Sequence, residues 1–499
     1  MNSFRPIGLS TILTLSLLAG CATEPEPIVD AMATAKNKNI DVRDRNRAID
    51  QMWAEGGTGP MRQHTRETLK NIVWGPNNGP SVRNHAMDVL LADPADTDHA
   101  DTRKSLKLML QTEKDYEVVA HISEIAVKEN WTDFTPPLMR QFARSDWTME
   151  SDKRPEHTAL LALNPGKTIE QIAWEVFAAP VTIKGIEGEQ LQKCRDFAWE
   201  VLSKADPSGA FRRDKLATLA PEPGDVTVTD VQVCLREFRC IPLTASQLQW
   251  LRRMRTPGDK AKAAWWQNAA NAVATLDESK MKGFTLRHVE PVRWAAANRP
   301  DWLRQSRDEL LAQLADRLKG REQFGRSGSY AGGTNDTLEY HADQMCWGDV
   351  LAVIVVDESL KTKGLGDVAW AQAMRDMKDT STEYGGLLVA NDALGIPADN
   401  NAPFTLALYP PRATQRFGDT RFVASDDMLS HGAVALANYH YHAQRIDNAD
   451  FAGPGPGDME YAFDQGVTCL VLTPVKEGVL NADVYMAGGI RLDLGPLKK

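Results

Sequence analysis

The chain of 499 residues is poor in cysteine, in aromatic rings and in positive charge. Its six cysteines include no Cys-x-x-Cys pair, so the common metal signature of that type is absent. Aromatic residues make up 7%, the net charge is −10, and no basic patch stands out, which argues against a general nucleic-acid binder. Charged residues at 25% fit a soluble acidic globular protein instead. A chain this long exceeds one hydrophobic core, so two or more domains are expected.

Long apolar runs are scarce as well. The one at the start, Ile7 to Leu18 after Arg5, is too short to span a bilayer and has the form of a signal-peptide core. It ends in Leu18-Ala19-Gly20-Cys21, which resembles the bacterial lipobox. That resemblance implies removal of residues 1–20, lipidation of Cys21 and a firm membrane anchor. Ala22 follows the cysteine, which implies an outer-membrane lipoprotein facing the periplasm. An ordinary signal peptide cut near Ala22 is the alternative. Residues 21–40 contain Glu24-Pro25-Glu26-Pro27 and read as a flexible tether.

Five cysteines remain: Cys194, Cys234, Cys240, Cys346 and Cys469. In an oxidising compartment Cys234 could pair with Cys240, and the odd count leaves at least one thiol over. Cys469 lies in the apolar run Val467 to Leu472 and reads as a small buried hydrophobe.

After the tether a pattern recurs. Ala48, Ala86, Ile122, Ala159 and Ala198 each sit in an apolar segment of helical spacing, and the offsets between them are 38, 36, 37 and 39 residues. Periods of this size are what stacked helix pairs produce, and residues 41–205 resemble a HEAT-like solenoid. An irregular helical bundle would give much the same periodicity. Either would offer a surface to a protein partner. Residues 206–330 remain helical in character, with Trp265 and Trp266 unable to share one helix face. A Gly/Ser-rich break at Gly325 to Gly333 precedes residues 331–365, read as a linker or connecting element. Within it, Val350 to Val356 fits a strand or a buried helix equally well.

From about Gly366 the chain reads as α+β: a helix at Val368 to Met377, then strand-like runs at Gly386 to Val389, Phe404 to Leu408, Val434 to Tyr439 and Cys469 to Leu472. Glu383 precedes Gly385-Gly386, the third run leads into His440-Tyr441-His442, and Asp458 opens a helix at Met459 to Phe463. Residues two apart on a strand project to one side, so His440 and His442 suit one metal. Two imidazoles and a carboxylate form a zinc ligand set, and a separate glutamate suits a base beside it. Asp426 and Asp427 read as helix N-cap residues and His431 as a surface residue.

Residues 366–499 thereby resemble the JAMM/MPN metalloprotease domain. The resemblance implies Zn²⁺ held by His440, His442 and Asp458, Glu383 as the catalytic base, and hydrolysis of a peptide or isopeptide bond. Where that family carries Ser or Thr between the histidines and Ser three residues before the aspartate, this chain has Tyr441 and Gly455. Tyr441, a backbone amide, Arg445 or Tyr461 could take over the missing oxyanion donor. The 15 residues between His442 and Asp458 form a longer gap than usual, so Asp447 or Asp450 could compete as third ligand. Two readings follow: a membrane-tethered periplasmic zinc peptidase acting on protein or peptide, and a non-catalytic helical-repeat scaffold whose C-terminal domain binds metal or a partner.

Overall fold

The computed structural model describes residues 27–96, 99–144, 149–178, 188–220, 224–324, 336–391 and 402–499. The expected signal peptide, Cys21 and the Gly325 to Gly333 break lie outside them. The described chain is mostly helical and ends in a six-stranded mixed sheet. It divides into two compact units, Met1–Ile122 and Ser123–Lys499.

In the first unit the helices alternate in pairs: Ala31–Lys36 with Val42–Glu55, then Pro60–Trp74 with Pro80–Leu91, then Ala100–Leu110 leading to Tyr116–Lys128. Ala48, Ala86 and Ile122 each fall in the second helix of a pair and are fully buried. Gly59 and Gly79 take φ of 68° and 75°, and a proline follows each at the first helical position, so the chain turns sharply and re-enters a helix with φ already set. Three positions before each of the first two alanines stands a buried arginine. Arg45 Nε donates to the Ala35 carbonyl at 3.1 Å and Arg83 Nε to that of Val73 at 2.7 Å, so each satisfies an orphan carbonyl near the end of the preceding helix. On the outside His85 Nε2 meets Asp50 and His121 Nε2 meets Asp88, both at 2.8 Å. Within the stretch expected to be a tether, the described residues include a helix: Asp30 caps Ala31–Lys36, whose Ala31 and Ala35 are buried.

The second unit continues the alternation with Thr135–Ala143, Pro155–Leu163, Ile169–Ala178 and Glu189–Ala205. Arg195 repeats the motif, Nε to the Phe177 carbonyl at 2.7 Å and both terminal nitrogens to Asp225. Trp265 and Trp266 do point apart, yet both are buried: one indole donates to Glu290 and the other to Glu237. Cys234 and Cys240 are separate buried thiols, Cys234 Sγ donating to the Cys240 carbonyl at 3.4 Å. Residues 347–359, expected in a connecting element, form the helix Trp347–Ser359, buried along Val350 to Val356 on every face. An apolar run without periodicity suits such a central helix as well as a strand.

The strands are β1 (Gly385–Ala390), β2 (Phe404–Leu408), β3 (Ala437–Tyr441), β4 (Thr468–Lys476), β5 (Val479–Met486) and β6 (Ile490–Lys498), in the order β2-β1-β3-β4-β5-β6. All neighbours are antiparallel except β3 and β4. That parallel pair requires a crossover, and the helix Pro456–Gln465 lies within it. The expected strand at Val434 begins three residues later, because Gly432–Val434 closes a 3₁₀ turn first. Gly385 and Gly386 are held to glycine by space. A Cβ on Gly386 would lie 2.0 Å from the Ala407 carbonyl, and one on Gly385 2.5 Å from that of Tyr439.

Candidate metal centre

Alternation along β3 sorts its side chains. Tyr439 and Tyr441 both donate to Gln372 Oε1, at 2.6 and 3.0 Å, from the helix Leu365–Asp376 on one face. His440 therefore takes the opposite face, beside Tyr485, with the ring of Phe422 stacked on it at 6.0 Å. His442 follows the strand and keeps the same side as His440.

The two imidazoles converge. His440 Nε2 and His442 Nε2 are 3.1 Å apart, and the carboxylate of Asp458 lies 3.2 Å from the first and 3.4 Å from the second. Two ligands held at about 2.0–2.1 Å from one tetrahedral ion would be about 3.3 Å apart. The histidine pair lies close to that edge, and one Asp458 oxygen lies near it from each histidine, Oδ1 from His440 and Oδ2 from His442, so the donor set is compatible with a zinc ion. His442 Nδ1 is 2.9 Å from the Phe451 carbonyl, an acceptor that places the proton on Nδ1 and leaves Nε2 its lone pair. His440 Nδ1 lies 3.4 Å from the Tyr485 hydroxyl. Asp458 sits in the first turn of the helix Pro456–Gln465, where its Oδ2 accepts from Gly455 N at 2.6 Å.

Glu383, 4% exposed, completes the group, with a carboxylate oxygen within 4.8 Å of the ligand nitrogens of both histidines. Burial pushes its carboxyl up against the opposing pull of His440 and His442. Burial would also raise Asp458, but the two histidines outweigh it and hold that carboxyl well below the usual range. For His442, burial favours the neutral ring, and the hydrogen bond and charge of Asp458 overcome it, lifting the imidazole to about 9. The group opens into a cleft of about 520 Å³, lined by Thr420, Gln444, Arg445, Phe451 and Gly455 to Asp458.

The other candidates fall elsewhere. Asp447 and Asp450 face Arg445 at 3.5 and 3.3 Å. The hydroxyl of Tyr441 is committed to Gln372 on the far face of the sheet, so it is no oxyanion donor here. Tyr461 packs against the buried cluster of Ala462, Cys469, Val471 and Tyr485, with its hydroxyl on Asn438 Nδ2. Arg445 alone of the three side chains lines the cleft. Ser425, not Asp426 or Asp427, caps the helix Asp426–His431, and the two aspartates lie in its first turn. His431 is half-buried, its Nδ1 2.9 Å from the Asp427 carbonyl.

Two residues escaped the sequence reading. Gln444 Nε2 donates to Glu383 Oε1 at 3.3 Å and to the Asp419 carbonyl at 2.7 Å, and Asn448 Nδ2 donates to Gln444 Oε1 at 2.8 Å. Amides in a loop carry no periodic signal that would single them out.

A second cluster, His288, Cys346 and Asp349, also brings three ligand-type atoms together. There Thr285 N donates to His288 Nδ1 at 3.0 Å, His288 Nε2 meets Asp349 at 2.8 Å, and Arg287 Nη2 binds the same carboxylate at 2.6 Å. Because His288 Nδ1 accepts a backbone N–H, the neutral ring carries its proton on Nε2 and gives it to Asp349, so neither nitrogen has a lone pair free and this set is a structural network. No family model, curated protein or solved structure matches the chain.

Proposed function

We propose that this protein is a zinc-dependent amide hydrolase of JAMM/MPN type, acting on a protein or peptide from a lipid-anchored position in the periplasm. The observation that carries the chemistry is the convergence of the two imidazoles and one carboxylate: His440 Nε2 and His442 Nε2 are 3.1 Å apart, with Asp458 Oδ1 3.2 Å from the first and Oδ2 3.4 Å from the second, a donor set and spacing that suit zinc. Zinc held there would supply Lewis-acid chemistry, polarising a carbonyl and acidifying water to a pKa of about 7. Glu383, buried beside the histidines, takes the proton from the attacking water and delivers it to the leaving amine. Its raised affinity for protons suits both halves of that task. Phe451 holds His442 in the tautomer that binds metal.

The anchor rests on Leu18 to Cys21, and the helix pairs, which look like HEAT repeats, would hold the partner or substrate. The non-catalytic scaffold remains the second reading, favoured by Gly455, which offers no hydroxyl beside Asp458. Zinc content and hydrolysis of a mixed peptide pool decide between them. His442→Ala is expected to lose the metal. Glu383→Gln is expected to keep it and to lose at least a hundredfold in rate, the scale of a lost general base. Purified protein without zinc would end the hydrolase reading, and zinc-loaded wild type without hydrolysis would favour the scaffold.

A further inference from the structure

We infer that Gln444 is a positioning residue that fixes the Glu383 carboxylate beside the histidine pair, an inference that rests on the hydrolase reading above. Each side-chain amide has two N–H donors and one carbonyl oxygen. Asn448, 1% exposed, spends both donors at 2.8 Å: one on the His442 carbonyl and one on Gln444 Oε1. Gln444 spends its own two on the Asp419 carbonyl and on Glu383 Oε1.

The orientation of Gln444 is therefore dictated from both ends. Rotating its amide by half a turn would set Oε1 against a carbonyl and a carboxylate, and would set its NH₂ against the NH₂ of Asn448. Asn448 is itself anchored, since its backbone N–H donates to the Pro474 carbonyl of β4 at 2.7 Å. A chain of donors thus runs from the sheet through Asn448 and Gln444 to Glu383 and stops there. Such a partner outside the ligand set holds a carboxylate's rotamer, and its loss typically costs tenfold to a hundredfold in activity.

Gln444 touches neither a ligand nitrogen nor a ligand oxygen in this arrangement, so its removal should spare metal binding. The variant Gln444→Leu keeps the bulk and deletes both donors. Co²⁺ is the probe, added to the full chain in place of zinc, with its visible spectrum followed against pH. Wild type should show an ionisation that Glu383→Gln abolishes, which identifies it with the carboxylate. In Gln444→Leu one Co²⁺ should still bind with unchanged thermal midpoint. The spectral midpoint should rise by about half a pH unit or more, because a donor to the charged carboxylate has gone.

Asn448→Asp, which offers Gln444 an acceptor in place of a donor, should turn that amide around and shift the midpoint in the same direction. The double variant should shift it no further, since the two act in series. A midpoint unchanged in Gln444→Leu, or loss of Co²⁺ with it, would overturn the positioning role while leaving the hydrolase reading standing. Wild type that binds no Co²⁺ and no Zn²⁺ would end both.

Discussion

Single side chains in this protein are placed by what their neighbours can accept. His288, fully buried, takes a backbone N–H on one nitrogen and Asp349 on the other. Burial dominates and holds its pKa below the ordinary value, against the pull of Asp349. The unfolded chain therefore binds a proton near pH 6.5 that the folded chain refuses, and stability falls as pH drops from about 7 to 5. His288→Gln should flatten that part of the slope in urea unfolding curves measured across this window. An unchanged slope would show that other groups set it. Asp349 works in the opposite range. Burial would raise its carboxyl, but Arg287 and His288 hold it far down, so its contribution is full above about pH 5 and is lost progressively as pH falls through and below the ordinary carboxylate range.

At the scale of elements, the buried arginines explain how helix pairs with low apolar content stack. Arg83, 1% exposed, donates to the Val73 carbonyl and pairs with Glu113 in the loop after the helix Ala100–Leu110, so one side chain ties its own helix to the preceding one and to the following loop. Arg83→Met would take the guanidinium from Glu113, which keeps the backbone N–H groups of Lys114 and Asp115, and should cost about 3 kcal/mol, while adding Glu113→Leu should recover only part of it because those two donors lose their acceptor. Denaturant titration of both variants measures the difference. A double variant no more stable than the single would mean the arginine acts through packing and its carbonyl bond alone.

The repeat spacing and the four-residue site were legible in the sequence because helix pairs and strand alternation impose periods. β5 and β6 carry the same signature and escaped the sequence reading: Leu480, Ala482, Val484 and Met486 alternate with Asn481 and Asp483, and Ile490, Leu492 and Leu494 with Arg491 and Asp493, although both strands are largely buried on both faces. Nor could residue spacing place Tyr441 against Gln372. That contact joins residues 69 positions apart in the chain, and only the fold brings them together.

For the molecule as a whole, the boundary expected near residue 366 does not separate compact units: Ser123–Lys499 holds the sheet together with the helices before it. Gln247 donates to the Gly466 carbonyl at 2.6 Å, and Trp294 packs on Phe404 of β2 at 5.1 Å, so helical side chains close both the crossover and the sheet edge. The crossover itself has a thermodynamic consequence. Its first strand ends in the two histidines and its helix begins with Asp458, so an ion bound by all three bridges two elements that the unfolded chain leaves far apart. Ligation is then linked to folding: at a free zinc level a hundred times its dissociation constant, the bound ion should add about 2.7 kcal/mol to the stability of this unit. Chelation should lower the thermal midpoint of zinc-loaded wild type and leave His442→Ala unmoved, an outcome that would make the ion a clasp on the crossover between the two parallel strands.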